Sequence, residues 1–414
     1  MTDAPARALA GEPTAPARGR WVTALALANL AAYAAFFGPL QVLLAQQAED
    51  VSADHKEAVL GLVTGVGAFV SLVANPLFGA LSDRTSSRFG KRVPWVVVGA
   101  VGGAVGLTLL AGVHAVAWMI LGWALVQASV NAQYAAVLAS IPDQVPRSQR
   151  GVVGGWVALA QTLGAMCGVG LALATGDWSA GYLACAAFLL AMSCPFVLAR
   201  RDRDVPVAVR PPFRLGSFVR DFYVDPRQHP DFGWAWLTRF LVHTGNALGL
   251  VYLYYFLDDA VGYDDPEGGV FTLTVVYAVC SVLTTVVSGR MSDRLGRRRV
   301  FVSVSGLVLA VATAMLALFP AWPVALVAAA VLGLGFGVFV AVDYALLTEV
   351  LPDLDDSGRD LGVINIASAL PQVVAPVVAA FVVSSLGGYP VLYLLAAGVT
   401  VAGALLVNRI RGVA

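Results

Sequence analysis

Three ionisable side chains lie inside long apolar segments of this chain, where a charge is costly to bury. Arg239 and Asp343 have opposite charges and occupy different segments, and His243 follows Arg239 by one helical turn. Such residues usually contact a substrate, bind a coupling ion or move a proton. Asp343 and His243 can exchange a proton, whereas Arg239 stays charged. The residue types therefore indicate coupling or substrate contact, with a purely structural ion pair between Arg239 and Asp343 as the alternative.

A second group of polar side chains in the apolar segments is neutral. It comprises Asn29, Tyr33, Gln127, Asn131, Gln133, Tyr134 and Asn246. Amide groups and aromatic rings could bind the hydroxyls and ring faces of a sugar. The same groups could instead satisfy contacts between helices. Together with the three ionisable residues, these side chains form the predicted substrate-binding or coupling set.

A short charged motif occurs twice, 210 residues apart. The first copy, Ser82-Asp83-Arg84, is followed by Gly90-Lys91-Arg92, and the second, Ser292-Asp293-Arg294, is followed by Gly296 and three arginines. A carboxylate in such a loop can dock on the free amide groups of a helix amino terminus, which would make each copy a cytoplasmic gate. The basic residues could alternatively serve only to orient the chain in a membrane. The predicted gate residues are Gly79, Asp83, Arg84, Arg92, Gly289, Asp293 and Arg294.

The composition indicates an all-α integral membrane protein. Hydrophobic residues make up 58% of the 414 residues and charged residues only 13%, against about a quarter charged in soluble chains. Twelve apolar stretches are long enough to cross a bilayer as helices. They are predicted near 21–46, 57–82, 93–112, 115–140, 149–175, 179–200, 232–257, 269–290, 300–319, 323–350, 359–386 and 388–408. With four His and four Cys, neither a metal site, a disulfide framework nor a cofactor is expected.

The distribution of basic residues predicts the orientation. Lys and Arg cluster near both termini and in the loops after the second, fourth, sixth and eighth spans, which indicates cytoplasmic termini in the plasma (inner) membrane. Lys56 is the basic residue assigned to an outside loop. The outside loops carry acidic residues instead, among them Asp258 and Asp259, which we interpret as a solvated rim because their spacing does not match a calcium loop.

The 210-residue offset persists beyond the motif and indicates an internal repeat. Gln133-Tyr134-Ala135 aligns with Asp343-Tyr344-Ala345, and at the same offset Asn29 matches Arg239. The amino half thus offers neutral groups where the carboxyl half offers charges. Two parallel six-helix repeats predict a substrate site between them, near the middle of the membrane. The predicted domains are a disordered amino terminus at 1–20, a six-helix bundle at 21–200, a cytoplasmic linker with either an amphipathic surface helix or a loop at 201–231, a second six-helix bundle at 232–409, and a tail at 410–414.

The chain resembles the major facilitator superfamily over its whole length. The segment Gly79-Ala80-Leu81-Ser82-Asp83-Arg84 with Gly90-Lys91-Arg92 is similar to that superfamily's motif between helices two and three. Its continuation, Val93-Pro94-Trp95, is similar to the glycoside–pentoside–hexuronide and sucrose transporter branch. The resemblance implies alternating access, a cavity lined by helices one, four, seven and ten, and docking of Asp83 at the start of helix eleven, near Ser357 to Gly362. Sodium-coupled relatives use acidic residues in the first two helices, where this chain offers Asn29 and Asn75, so a sodium site is not expected.

The leading hypothesis is a secondary active transporter, coupled to protons, for a small polar organic solute such as a saccharide. An exporter of amphipathic drugs or metabolites is the alternative, and a membrane receptor or scaffold without transport is a third hypothesis. The chain has no nucleotide-binding loop, metal-ligand cluster or nucleophile–base motif, so it is not expected to be an enzyme. The expected partners are the solute, protons and bilayer lipid. No nucleic acid is expected, and the chain is expected to act as a monomer.

Overall fold

The computed structural model describes residues 16–85, 87–199, 227–350 and 357–411. Most of the amino-terminal segment and of the linker lies outside the described residues. The disorder expected of the amino-terminal segment therefore stays a prediction, and so does the surface helix or loop expected in the linker.

Long helices account for the described chain, as the apolar composition predicts. They are α1 (Gly19–Val51), α2 (Lys56–Arg84), α3 (Val93–Ala111), α4 (Val116–Gln144), α5 (Arg147–Thr175), α6 (Trp178–Ala199), α7 (Pro230–Val251), α8 (Pro266–Leu295), α9 (Arg298–Leu318), α10 (Trp322–Glu349), α11 (Ser357–Ser385) and α12 (Gly388–Leu406). Within the described residues, eleven helices are long and apolar enough to cross a membrane. A twelfth span results when α7 is joined to Leu253–Val261, which follows it after a bend of 48°. Each predicted span corresponds to one of these helices.

Two of the spans contain π-helical turns. In α1 the turn covers Pro39–Leu43, where the proline has no N–H to donate to the helix ladder. After the bend that ends α7, a second π-helical turn covers Phe256–Val261. In these irregular segments the side chains point in directions that differ from those in a regular α-helix.

The chain forms two compact units. Unit one contains Met1–Val51 and Phe69–Phe213, and unit two contains Ser52–Ala68 and Arg214–Ala414, so α2 is divided between them. In unit one, α1 packs on α5 and α6, and α3 packs on α4 and α6. In unit two, α7 packs on α11 and α12, and α9 packs on α10 and α12. The same neighbours recur six helices later, which agrees with the internal repeat inferred from the sequence.

Glycines allow the helices of each unit to approach closely. A Cβ atom added to Gly168 of α5 would lie 2.4 Å from the carbonyl oxygen of Ala34 on α1. A Cβ added to Gly337 of α10 would lie 2.2 Å from the carbonyl oxygen of Ser281 on α8. Neither distance is sterically allowed, so a side chain at either position would push two helices apart. Small residues at helix contacts are typical of membrane proteins, where lipid supplies no hydrophobic force between helices.

Candidate functional site

An ion pair lies inside unit two. Arg239 on α7 donates from Nη1 to Oδ2 of Asp343 on α10, and from Nε to Oγ of Ser368 on α11 at 2.7 Å. The Asp343 side chain is 2% exposed and that of Arg239 is 13% exposed. Each charge offsets the cost of burying the other, and the Ser368 hydroxyl satisfies a further guanidinium N–H. Arg239 and Asp343 are thus in contact, which the sequence had left open, whereas no sequence pattern indicated Ser368.

His243 lies one turn along α7 from Arg239, between two aromatic side chains. Its ring meets Phe336 and Phe339 of α10 edge-on, with ring centroids 5.7 and 5.6 Å apart. Its Nε2 atom is buried and has no hydrogen-bond partner among the described residues. A buried ring nitrogen without a partner is unusual in a folded protein and can serve a bound solute or proton.

The remaining predicted residue of α7 is Asn246. Its Oδ1 atom accepts a hydrogen bond from the hydroxyl of Tyr277 on α8 at 3.4 Å. Three predicted residues of α7 therefore follow one another at helical spacing, namely Arg239, His243 and Asn246. Each of them contacts different side chains on the neighbouring helices.

Two of the predicted neutral residues meet in unit one. Tyr33 of α1 and Tyr134 of α4 have ring centroids 5.8 Å apart, and Tyr33 also stacks on Phe37 at 5.7 Å. Gln161 of α5 donates to the Tyr134 hydroxyl at 3.4 Å. This cluster presents aromatic faces beside hydroxyl and amide groups, which suits a ligand with one apolar face and several hydroxyls.

Asn131 forms a polar network with α2. Its Nδ2 donates to Ser71 Oγ at 2.9 Å and to the backbone oxygen of Gln127 at 2.8 Å, and its Oδ1 accepts from Asn75 at 3.2 Å. Ser71 and Asn75 lie on the part of α2 that belongs to unit one. The network commits much of the hydrogen-bonding capacity of Asn131 to contacts between helices.

Gln133 and Asn29 take part in helix packing. Gln133 is fully buried and donates to the backbone oxygen of Ala28 on α1 at 3.0 Å and to Ser193 Oγ on α6 at 2.9 Å. Asn29 donates to the Leu25 carbonyl of its own helix at 3.0 Å. These contacts correspond to the packing alternative that the sequence left open for the neutral residues.

A sequence profile places these features in a family. The profile of the Major Facilitator Superfamily matches residues 20–287 and 235–412. The chain belongs to the Major Facilitator Superfamily. It is therefore a multi-pass membrane protein of a transporter superfamily and not an enzyme, as its sequence predicted.

Relatives of this superfamily member match parts of the chain. An uncharacterized MFS-type transporter of Schizosaccharomyces pombe, C18.02, is 33% identical over 135 residues, which are 32% of this chain and 30% of that protein. Proton-associated sugar transporter A of Homo sapiens is 41% identical over 54 residues, which are 13% of this chain and 7% of that protein. The chain thus matches less than a third of the length of each relative.

Two solved structures resemble the superfamily member along nearly its whole length. The nucleoside transporter NupG aligns with a TM-score of 0.73 and 14% identity, covering 94% of this chain and 99% of that one. A POT family transporter crystallised with a peptide aligns with a TM-score of 0.76 and 10% identity, covering 94% and 95%. At such low identity these similarities establish the fold alone, and they confirm the predicted fold class.

The predicted gate loop of this superfamily member forms a charge cluster in unit one. Arg92, just before α3, donates to Asp83, to Ser82 Oγ at 2.8 Å and to Asp143 at 2.9 Å. Lys91 makes a second contact to Asp143 at 2.9 Å. Burial alone would lower the pKa of Arg92, but the carboxylates of Asp83 and Asp143 raise it above its usual value. The loop therefore holds a fixed positive charge between two carboxylates.

Asp143 was not among the predicted gate residues. It lies near the end of α4, and the recurrence of Pro142-Asp143 as Pro352-Asp353 was the signal that could have identified it. The predicted gate residues Gly79 and Arg84 lie on α2, where Arg84 donates to the carbonyl of Ala80 at 3.3 Å.

The second copy of the motif forms the end of α8. Gly289, Asp293 and Arg294 lie in this helix, and Gly296 ends it with a φ of 61°. The side chain of Asp293 lies outside the described part of the chain, as do the side chains at the start of α11. The gate role of both copies therefore stays a prediction.

A further charge cluster lies in unit two, at the start of α2. Lys56 binds Asp259 at 2.9 Å and Asp258 at 3.5 Å, and its Nζ lies 4.9 Å from the centre of the Tyr255 ring. Asp259 also accepts a hydrogen bond from the Tyr389 hydroxyl at 2.5 Å. Asp258 and Asp259, which the sequence placed in a solvated acidic rim, are 39% and 33% exposed, and in addition both pair with Lys56. Across the described ranges, no group of three His, Cys, Asp or Glu side chains could hold a metal ion.

Proposed function

We propose that this protein is a secondary active transporter that moves a small polar, saccharide-like solute by alternating access and couples its movement to protons. The observation that carries the proposal is the buried pair of Arg239 and Asp343. A buried carboxylate beside a positive charge can alternate between an ionised, paired state and a protonated, neutral state. Arg239 stays charged in both states, so the carboxylate is the partner that changes.

Protonation of Asp343 would change how strongly α7 and α10 are held together. Opposite charges attract strongly in the poorly screened interior of a membrane protein, and here the attraction joins α7 to α10. A proton on Asp343 removes one of the two charges and leaves an ordinary hydrogen bond at most. The contact between the two helices then weakens, which would allow the proton to bias the conformational cycle.

The proposal assigns solute binding to polar residues within each unit. In unit one, Tyr33 and Tyr134 are candidates for contact with a sugar ring, and Gln127 and Asn131 for hydrogen bonds to hydroxyls. In unit two, His243 and Asn246 are candidates for hydrogen bonds to a polar solute. Two similarities support a sugar and a proton. The loop after α2 resembles the glycoside–pentoside–hexuronide and sucrose branch, and the Homo sapiens relative is named as a proton-associated sugar transporter.

The same proposal includes the placement of the chain in the cell. The basic loops support a plasma (inner) membrane location with both termini in the cytoplasm. The cluster around Asp83 and Arg92 would then form a cytoplasmic gate. The bundles at 21–200 and 232–409 would act as the two halves of a monomeric transporter.

Transport by purified protein in proteoliposomes tests the proposal. Radiolabelled sucrose, glucose and maltose are offered separately, with an acidic outer buffer and an alkaline lumen. We expect at least one sugar to accumulate above its outside concentration, and a protonophore to abolish the accumulation. The matched control is Asp343→Asn, which should still exchange labelled for unlabelled sugar without accumulation. Uptake of none of these sugars, or accumulation that the protonophore does not affect, would contradict the proposal.

A second candidate function, export of amphipathic compounds, is favoured by one apolar groove. The groove lies in unit one between α1 and α5, has a volume of about 510 Å³, and is lined by Val22, Leu30, Val152, Trp156 and Leu163 among others. Such a lining suits an apolar or amphipathic ligand. Binding of tetraphenylphosphonium that raises the melting temperature, and is lost in Trp156→Ala, would support this function over sugar transport.

A further inference from the structure

Ser368 on α11 contacts the ion pair that Arg239 on α7 forms with Asp343 on α10. Its Oγ accepts from Arg239 Nε at 2.7 Å, while Arg239 Nη1 donates to Asp343. The two acceptors differ in chemistry as well as in position. The carboxylate changes its charge when it takes up a proton, whereas the hydroxyl is neutral at every physiological pH. Arg239 is therefore held by one contact that depends on protonation and by another that does not.

We infer that Ser368 is a positioning residue that holds Arg239 in place while Asp343 is protonated. The inference rests on the proposed function, in which Asp343 binds the transported proton. When Asp343 becomes neutral, its attraction for the guanidinium falls, and a buried arginine without acceptors would be costly. The Ser368 hydroxyl still accepts from Nε, so Arg239 stays within reach of Asp343 and the pair re-forms when the proton leaves.

The hydroxyl also affects the pH at which Asp343 takes up its proton. By fixing Nε, Ser368 directs Nη1 towards the carboxylate and so favours the ionised pair. Without the hydroxyl, the guanidinium can turn away and the ionised carboxylate loses part of its stabilisation. Asp343 should then become protonated at a higher pH than in the wild type.

The titration of Asp343 must be distinguished from the titration of other ionisable groups on the surrounding helices. Among the described side chains away from the helix ends, these are His243 on α7, Tyr277 and Cys280 on α8, and Tyr393 on α12. Tyrosine and cysteine stay largely neutral below about pH 8, so histidine is the residue type among these whose ordinary pKa falls inside the range of the measurement. The measurement is therefore repeated in a His243→Gln background.

Infrared difference spectroscopy of the reconstituted protein tests the inference without any substrate. The carboxylic C=O band that appears between about pH 9 and pH 4, and is absent in Asp343→Asn, reports the protonation of Asp343. Ser368→Ala removes the acceptor, and Ser368→Cys keeps the size of the side chain but accepts hydrogen bonds weakly. Ser368→Thr retains the hydroxyl. The matched control is Ser384→Ala on the same helix, because Ser384 Oγ bonds to the Ala380 carbonyl of α11 at 2.7 Å.

We expect the midpoint of the Asp343 band to move to higher pH in Ser368→Ala and Ser368→Cys, and to stay near the wild-type value in Ser368→Thr and Ser384→Ala. An unchanged midpoint in both Ser368→Ala and Ser368→Cys would overturn the positioning role and leave the proposed function intact. A wild-type protein in which the Asp343 band does not titrate would overturn the proposed function itself, and the positioning role with it. If Ser368→Ala does not fold, Ser368→Cys and Ser368→Thr still decide between these results.

Discussion

Positions 133 and 343 correspond to each other in the internal repeat, and they join equivalent helices in different ways. In unit one, the Gln133 amide on α4 donates to the backbone oxygen of Ala28 on α1. In unit two, Asp343 on α10 accepts from the guanidinium of Arg239 on α7. A neutral hydrogen bond therefore holds one helix pair, and an ion pair holds the other.

The difference matters because the two kinds of contact respond differently to protons. An amide keeps its donors at every pH at which the protein folds, so the contact between α1 and α4 has no reason to change. A carboxylate loses its charge when it is protonated, so the contact between α7 and α10 can be weakened by a proton. We therefore expect the proton dependence of this transporter to reside in unit two.

The largest effect should follow removal of one charge from the pair. Arg239→Ala leaves Asp343 buried without its partner and should cost about 3–5 kcal/mol of unfolding free energy. The double variant Arg239→Gln with Asp343→Asn removes both charges and should recover most of that loss. Denaturation of the three proteins in the same detergent measures the difference. A double variant no more stable than Arg239→Ala would show that the two side chains do not depend on each other.

A smaller effect is expected at the corresponding position of unit one. Gln133→Leu removes the hydrogen bonds that Gln133 donates to the Ala28 carbonyl and to the Ser193 hydroxyl, which should cost about 1–3 kcal/mol. The cost should be equal at acidic and alkaline pH, because no charge is lost. Melting temperatures measured across pH, with Asp343→Asn as the contrasting variant, check this. A loss that varies with pH in Gln133→Leu would break the comparison between the units.

The second charge cluster of unit two should contribute less than the buried pair. Lys56→Met leaves Asp258 and Asp259 without their cation, but both carboxylates are partly exposed, so the expected loss is about 1 kcal/mol. Salt should reduce that loss, because it screens exposed charges better than buried ones. Lys56→Arg is the control that keeps the charge. Equal losses at low and high salt would show that Lys56 stabilises unit two through packing instead.

The smallest change in stability is expected in the two copies of the loop motif. Asp83 is 62% exposed, and Arg92 keeps its contact with Asp143 when Asp83 is replaced. Asp83→Asn should therefore leave expression and membrane insertion largely intact, within about 0.5 kcal/mol in stability, while it slows transport. We expect the same of Asp293→Asn because Asp293 holds the corresponding position of the repeat. Initial uptake rates and the amount of protein in the membrane are measured together. A normal rate in Asp83→Asn would remove the gate assignment in unit one.

The spans could be predicted from the sequence because their signal is local, and Arg239 and Asp343 could be singled out because buried charges are rare. Each span is a long run of apolar residues, and charged residues inside such runs are so few that Arg239 and Asp343 were natural partners. Ser368 could not be predicted in this way. It is one of several serines in apolar helices, and its contact depends on the rotation of α11 about its own axis.

The cluster around Lys56 escaped prediction for a different reason. Lys56 and Asp259 are separated by 203 residues, and both lay just beyond the ends of predicted spans. In a sequence, charged residues just beyond the ends of spans are interpreted as loop residues, because their partners become apparent only in the folded structure. Gln133 presents a similar case, because nothing in its sequence neighbourhood distinguishes a side chain that packs between helices from one that binds a solute.

The central claim is that protonation of Asp343 couples transport to a pH gradient. The most direct test compares Arg239→Gln with Asp343→Asn against the wild type in proteoliposomes loaded with whichever of sucrose, glucose or maltose the wild type accumulates. We predict that the double variant still exchanges labelled for unlabelled sugar but no longer accumulates it when a pH gradient is imposed. Accumulation at the wild-type level in the double variant would mean that the pair is only structural, and would contradict the account.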